Sequence, residues 1–187
     1  MSQAASPAPS QSDAPEPDAL EASAAAEIER KFLVPSPPED LRSHSSEQLQ
    51  QGYLAVTEDG TEVRLRRRGD HCSLTVKSPL EGPEGLARWE SEVPVTAEQF
   101  HALWPATRGK RVEKERFQVP VAGATAEVDV YDGDLRGLVT AEVEFPSPEA
   151  AEAFEAPPWF GREVTSDSRY KNQRLASHGL PTAEVGS

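Results

Sequence analysis

The chain has 187 residues, a net charge of −13 and one cysteine. The length suits a single domain, and so acidic a balance disfavours a broad surface for nucleic acid or an anionic membrane. One thiol excludes an internal disulfide framework and suits a reducing cytoplasm. No apolar run approaches the roughly 18 residues that a membrane helix needs.

Residues 1–26 hold nine Ala, five Ser, four Pro and four acids, with no Lys or Arg. Such a stretch cannot bury enough apolar surface to offset its ordering entropy, so it reads as a disordered acidic leader. It has neither the basic start of a secretory signal nor the Arg-rich character of a transit peptide. A first strand follows over about Ala26 to Val34. Residues two apart share a face of a strand, which puts Glu27, Glu29 and Lys31 on one side and Ile28 and Phe32 on the other.

Gln48 to Thr57 reads as a second strand, joined by Glu58-Asp59-Gly60 to a third over Glu62 to Arg68; Asp-Gly favours a tight hairpin. Arg68-Gly69-Asp70 turns into Cys72 to Lys77, and the Gly- and Pro-rich loop Ser78 to Gly85 leads to a strand over Ala87 to Val95. Thr96 and Gln99 form a capping-box signature for a helix ending near Pro105. Arg111 to Val119 and Ala124 to Tyr131 make a further hairpin, and Gly137 to Phe145 is the last strand. Ser147-Pro148-Glu149 starts a helix to about Ala156. Trp159 and Phe160 are expected to pack beneath the sheet, and Ser166 to Ser177 to form a final short helix. Cys72 reads as a buried strand residue. His44, His71, His101 and His178 show no ligand spacing. The expected fold is α+β: an eight-stranded antiparallel β-barrel with a few short helices outside.

Charges recur at one parity along these strands: Arg64 and Arg66, Thr75 and Lys77, Glu90 and Glu92, Lys114 and Arg116, Glu127 and Asp129, Glu142 and Glu144. The ordinary reading of alternation turns charges toward water. Here acids and bases are sorted by strand. Like charges two residues apart lie ~7 Å from each other on a strand and repel by roughly 2 kcal/mol at an effective dielectric of 20. Five such pairs make sense if divalent cations bridge the acids and a polyanion bridges the bases, since carboxylates suit Mg²⁺ or Mn²⁺ and Arg forks suit phosphate. The charges are therefore expected inside, lining a polar tunnel walled by hydrocarbon.

The series beginning Glu27-x-Glu29-x-Lys31 and running through Glu142-x-Glu144 resembles the CYTH domain, or triphosphate tunnel metalloenzymes, over about Glu27 to Leu175. The resemblance implies a tunnel domain over 27–178, a flexible tail over 179–187, dependence on Mg²⁺ or Mn²⁺, and hydrolysis or cyclisation of triphosphates. By that likeness Lys31, Arg64, Arg66, Lys77, Lys114 and Arg116 would grip the substrate. Glu27, Glu29, Asp129, Glu142 and Glu144 would hold metal, and Glu90 and Glu92 would ligate metal or orient neighbouring guanidinium groups. Lys31 and Glu29 are the catalytic candidates, with Glu29 or Glu92 accepting a proton. Asp167 to Arg174 resembles the family's helix that closes one tunnel end, with Lys171 near the substrate or in solvent.

Inorganic tripolyphosphate is the expected substrate. Thiamine triphosphatase, adenylate cyclase and a non-catalytic triphosphate-binding module are the alternatives. The absence of a His-Phe pair before Glu27 lowers the cyclase. A cytoplasmic protein is expected, without nucleic-acid or membrane partners; a homodimer is compatible with all of this.

Overall fold

The computed structural model describes residues 28–79 and 88–182. The leader, Glu27, most of the 78–85 loop and the last five residues lie outside them. Eight strands are present: β1 (Ile28–Leu33), β2 (Ser46–Val56), β3 (Glu62–Arg68), β4 (His71–Pro79), β5 (Arg88–Val95), β6 (Arg111–Val121), β7 (Ala124–Tyr131) and β8 (Val139–Phe145). Among the described residues three α-helices accompany them, α1 (Ala97–Leu103), α2 (Pro148–Ala153) and α3 (Asn172–His178), with short 3-10 turns between elements. The strands form one antiparallel sheet in the order β1-β8-β7-β6-β2-β3-β4-β5. No helix among the described residues is long and apolar enough to cross a membrane.

Side-chain parity decides which face is which. On the convex face, Phe32, Phe117, Val119, Val121, Ala126, Val128, Ala141 and Val143 form a buried cluster with Val34, Leu41 and Phe160. Phe154 and Trp159 pack against it. A second outer cluster joins Leu65 of β3 and Cys72 of β4 to Phe100 of α1, with Trp104 against it. Cys72 is thus buried on the outer wall. The opposite parity carries the ionised residues, and the sheet curls around them: one cavity draws together Glu29 and Lys31 of β1, Arg64 of β3, Lys77 of β4 and Glu142 of β8.

The seam of this tunnel is not a hydrogen-bonded ladder, since β1 and β5 remain the two ends of the sheet among the described residues. The free edge of β1 is taken instead by the segment 161–165. Leu33 N–H donates to the Arg162 carbonyl at 2.9 Å, while Gly161 N–H and Val164 N–H donate to the Leu33 and Lys31 carbonyls at 2.7 Å each. An edge covered in this way offers no template for foreign strands.

The helices start where the caps require. Thr96 and Gln99 make the reciprocal capping box at α1, and the Ser147 hydroxyl accepts from Ala150 N–H at α2. α2 stops at Ala153, short of Ala156, because Phe154 turns extended and packs its ring, tilted, among Phe32, Phe145 and Phe160. The single final helix expected from Ser166 is broken in two: Asp167 caps a 3-10 turn over Ser168–Tyr170, Lys171 is extended, and α3 begins at Asn172. α3 then seals one end of the bore, where Leu175 and Ala176 meet Tyr53, Val112, Tyr131 and Leu135.

Gly52 lets the segment after α1 lie flat on β2. A Cβ there would sit 2.5 Å from Thr107 Cβ, and Thr107 is fully buried, accepting from Arg111 Nε at 2.9 Å and donating to the Trp104 carbonyl at 2.8 Å. Gly52→Ala is expected to cost roughly 1–3 kcal/mol through overpacking, read as a lowered Tm; an unchanged Tm would contradict this packing.

Candidate active site

Register places the charged rows against each other. On β6 and β7, Arg116 faces Asp129 and Gln118 faces Glu127; on β8, Glu142 faces both Glu127 of β7 and Lys31 of β1, and Glu144 faces Glu29. On the other side of the bore, Arg64 lies beside Thr75 and Thr75 beside Glu92, with Lys77 facing both Glu62 and Glu90. Acidic β7 and β8 thus lie side by side, flanked by the bases of β6 and by Lys31 of β1, while acidic β5 lies beside Lys77 of β4.

The deepest group is Asp129, which has no exposed surface. Its Oδ1 accepts from Arg116 Nε at 2.6 Å, and its Oδ2 accepts from Arg116 NH2 at 2.7 Å and Lys114 Nζ at 2.5 Å. The same guanidinium reaches Glu142 Oε2 at 2.9 Å and pairs with Glu127 through NH1. Removing one partner from a buried cluster of this kind leaves an uncompensated charge and is strongly destabilising. Burial pulls the Lys114 ammonium below its usual range, against the opposing pull of Asp129.

Glu142 is the junction between this cluster and the cavity. Burial alone would raise its carboxyl, but Lys31, Lys114 and Arg116 outweigh burial and hold it at about 2. Lys31 Nζ lies 2.8 Å from Glu142 Oε1 and donates to the Tyr170 carbonyl at 2.9 Å. On the far wall, Arg64 NH2 stands 4.0 Å from Glu90 and 3.9 Å from Glu92, and Lys77 Nζ stands 2.7 Å from Glu90. Thr75 is fully buried and donates to Glu92 at 2.8 Å.

Arg66 differs from its neighbours. Among the described residues it makes no ion pair or hydrogen bond, and its Nε is shielded from water without a partner, as is that of Arg64. Burial lowers the pKa of Arg66 below the usual value, with Arg64 adding to the effect and Glu92 partly opposing it. A half-buried guanidinium with an unpartnered, shielded donor is a seat for an anion.

The carboxylates form pairs. Among the described residues no group of three or more His, Cys, Asp or Glu converges as a cage. Glu29 and Glu144, both exposed, are cross-strand neighbours, about 5 Å apart at Cβ by such pairing. Two hard oxygen donors fit Mg²⁺ or Mn²⁺ of the kind that keeps several waters and completes its shell with substrate phosphates. Asp129 and Glu142 are already committed to cations.

Sequence reasoning did not single out several residues of this site. Tyr53, Glu62, Val164, Thr165, Asp167, Tyr170, Asn172 and Gln173 line the cavity of about 250 Å³ beside Lys31, and Lys171 lies there as well. Tyr53 and Glu62 share parity with the basic row of β3 through register; parity counted outward from Arg64 would have found Glu62. Burial pushes the Tyr53 phenol up to about 12, with Arg64 partly opposing.

An antiparallel sheet curled about an ionised bore and sealed at one end by a C-terminal helix defines a tunnel-type domain. The chain belongs to the CYTH domain family, which matches residues 25–178. It is 50% identical over 151 residues to an inorganic triphosphatase of Nitrosomonas europaea, covering 80% of this chain and 96% of that protein. An inorganic triphosphatase of Acetivibrio thermocellus is 38% identical over 153 residues, 81% of this chain and 94% of that one. A crystal structure of an inorganic triphosphatase superposes with a TM-score of 0.68 at 45% identity, covering 82% of this chain and 95% of that chain.

The lowered value of Glu142 has a stability consequence. Its folded-state value of about 2 lies below the ordinary 4.5, so the stabilisation is complete above pH 4.5 and is lost as pH falls through 2. Glu142→Gln is expected to be less stable than wild type at pH 7, with the gap in Tm narrowing between pH 4.5 and 2. A gap that stays constant through that window would refute the ionised, cation-held carboxylate.

Proposed function

We propose that the chain hydrolyses inorganic tripolyphosphate with Mg²⁺ or Mn²⁺. One observation carries this reading: Arg66, half-buried beside Arg64, makes no ion pair or hydrogen bond among the described residues, and its Nε is shielded without a partner. Its support from outside is 50% identity to an inorganic triphosphatase over most of the chain. A linear polyanion supplies the missing negative charge, and Arg forks suit its oxygens.

In this reading Arg64, Arg66 and Lys77 hold the chain from one wall, and Lys31, Lys114 and Arg116 hold it from the other. Glu90 and Glu92 keep Arg64 and Lys77 aimed inward, and Asp129 does the same for Lys114 and Arg116. Fixed positive groups of this kind act on charge that develops in transfer, and they need no reorganisation when it does. Glu29 and Glu144, with Glu27 preceding them on the chain, are the donors for the divalent cation, which when bound would neutralise phosphate oxygens.

Water attacks the terminal phosphorus, the bridging P–O bond breaks, and orthophosphate and pyrophosphate are the products. Glu29 lies on the cavity wall beside Lys31 and accepts the water's proton; Glu92, tied to Thr75, is less suited to that role. Lys31 steadies the transferring group. The charge of the whole chain, −13, leaves nucleic acid outside this function, and the buried free thiol of Cys72 suits a cytoplasmic protein.

The test is phosphate release from tripolyphosphate, with ATP and thiamine triphosphate as comparators. Wild type is expected to prefer tripolyphosphate and to stop in EDTA. Arg66→Ala should lose at least ~100-fold in kcat/KM while keeping its circular dichroism spectrum. Full activity in that variant, or cyclic AMP formation from ATP as the main reaction, would overturn the assignment.

A further inference from the structure

Lys31 is held at three points by one segment that is distant in sequence. Its backbone N–H donates to Thr165 Oγ1 at 2.9 Å, its carbonyl accepts from Val164 N–H at 2.7 Å, and its Nζ donates to the Tyr170 carbonyl at 2.9 Å. The Thr165 hydroxyl in turn donates to Glu163 Oε1 at 2.7 Å. Glu163 is clamped by Arg30, the residue next to Lys31 but pointing out of the sheet, through Nε at 3.1 Å and NH2 at 2.7 Å.

Arg30 is anchored as well. Its NH1 donates to the Ala151 and Phe154 carbonyls, and its guanidinium lies 5.0 Å from the Phe32 ring centroid. The two faces of β1 are thereby tied to one strap: Arg30 fixes it outside, and the strap's carbonyl fixes the Lys31 ammonium inside. The break between the 3-10 turn and α3 is what brings the Tyr170 carbonyl to Lys31, since its own chain leaves it accessible there.

We propose that the segment 161–170 is a positioning strap for Lys31, with Thr165 and Glu163 as positioning residues that act through Lys31. The strap sets where the ammonium points in the bore. An ammonium has three donors; the Tyr170 carbonyl and Glu142 engage Nζ from the wall, leaving a donor for the cavity. This rests on the triphosphate reading for its consequence, but the positioning itself can be measured without it.

Two measurements on the full chain decide the matter. Acylation of Lys31 by a limiting anhydride, followed by mass spectrometry, reads the ammonium directly. Thr165→Val should raise its labelling several-fold relative to the other lysines, and Thr165→Ser, which keeps the hydroxyl, should restore protection. Tripolyphosphate binding measured in EDTA reads the consequence. Thr165→Val should weaken it roughly three- to tenfold in the wild-type background and leave it unchanged in the Lys31→Ala background, because the effect passes through Lys31.

Unchanged labelling, or equal loss of affinity in both backgrounds, would overturn the strap's role and reduce Thr165 to a general packing residue. Wild-type protein that neither binds nor cleaves tripolyphosphate would instead sink the functional reading, while the labelling still decides the positioning.

Discussion

Everything in this molecule depends on Asp129 being buried with both carboxylate oxygens taken by Arg116 and Lys114. A buried charge is tolerated only when it is paired and hydrogen-bonded. An acid at that depth therefore requires basic partners, and the adjacent strand β6 supplies both of them. The pairing of basic β6 with acidic β7 follows from that single constraint. So does the hydrocarbon shell of Phe32, Phe117, Val128 and Val143, which keeps water from screening the pairs.

Pairing is uneven, and the unevenness points to function. The β6–β7–β8 side is tightly paired, since Arg116 answers three carboxylates. The β3–β4–β5 side is looser. Arg64 reaches its acids only at 3.9–4.0 Å, and Arg66 has no such partner among the described residues. A tightly paired wall opposite a wall whose guanidinium groups are loosely paired leaves donors there open to an anion. The strap over β1 extends this logic to Lys31, which sits where the two walls meet.

Much of this was legible in the sequence. The period-two charges of β1, β3 and β8 fixed both the strand assignment and the inward face, because a one-residue slip would move every charge to the other side. The capping box at Thr96 and the Ser147 cap located two helices. What stayed hidden depends on register and on distant contacts. The inward row of β2 contains Gln51 and Tyr53, which carry no charge to mark their parity, and a register shift between Tyr53 and Ala55 blurs the count. In sequence Asp129 looks like any acid of an acidic pair; only the register with Arg116 commits it to cations. The segment 161–165 is too short and mixed to read as an edge-covering strand, and the break before α3 has its reason in Lys31, some 140 residues earlier in the chain.

The most direct test of the account is a crystal structure of the protein with a non-hydrolysable triphosphate analogue and Mg²⁺. Density for the phosphate chain running through the curled sheet, with Arg66 against its oxygens, is the expected result. An analogue seated on the outer wall, with Arg66 untouched, would contradict it.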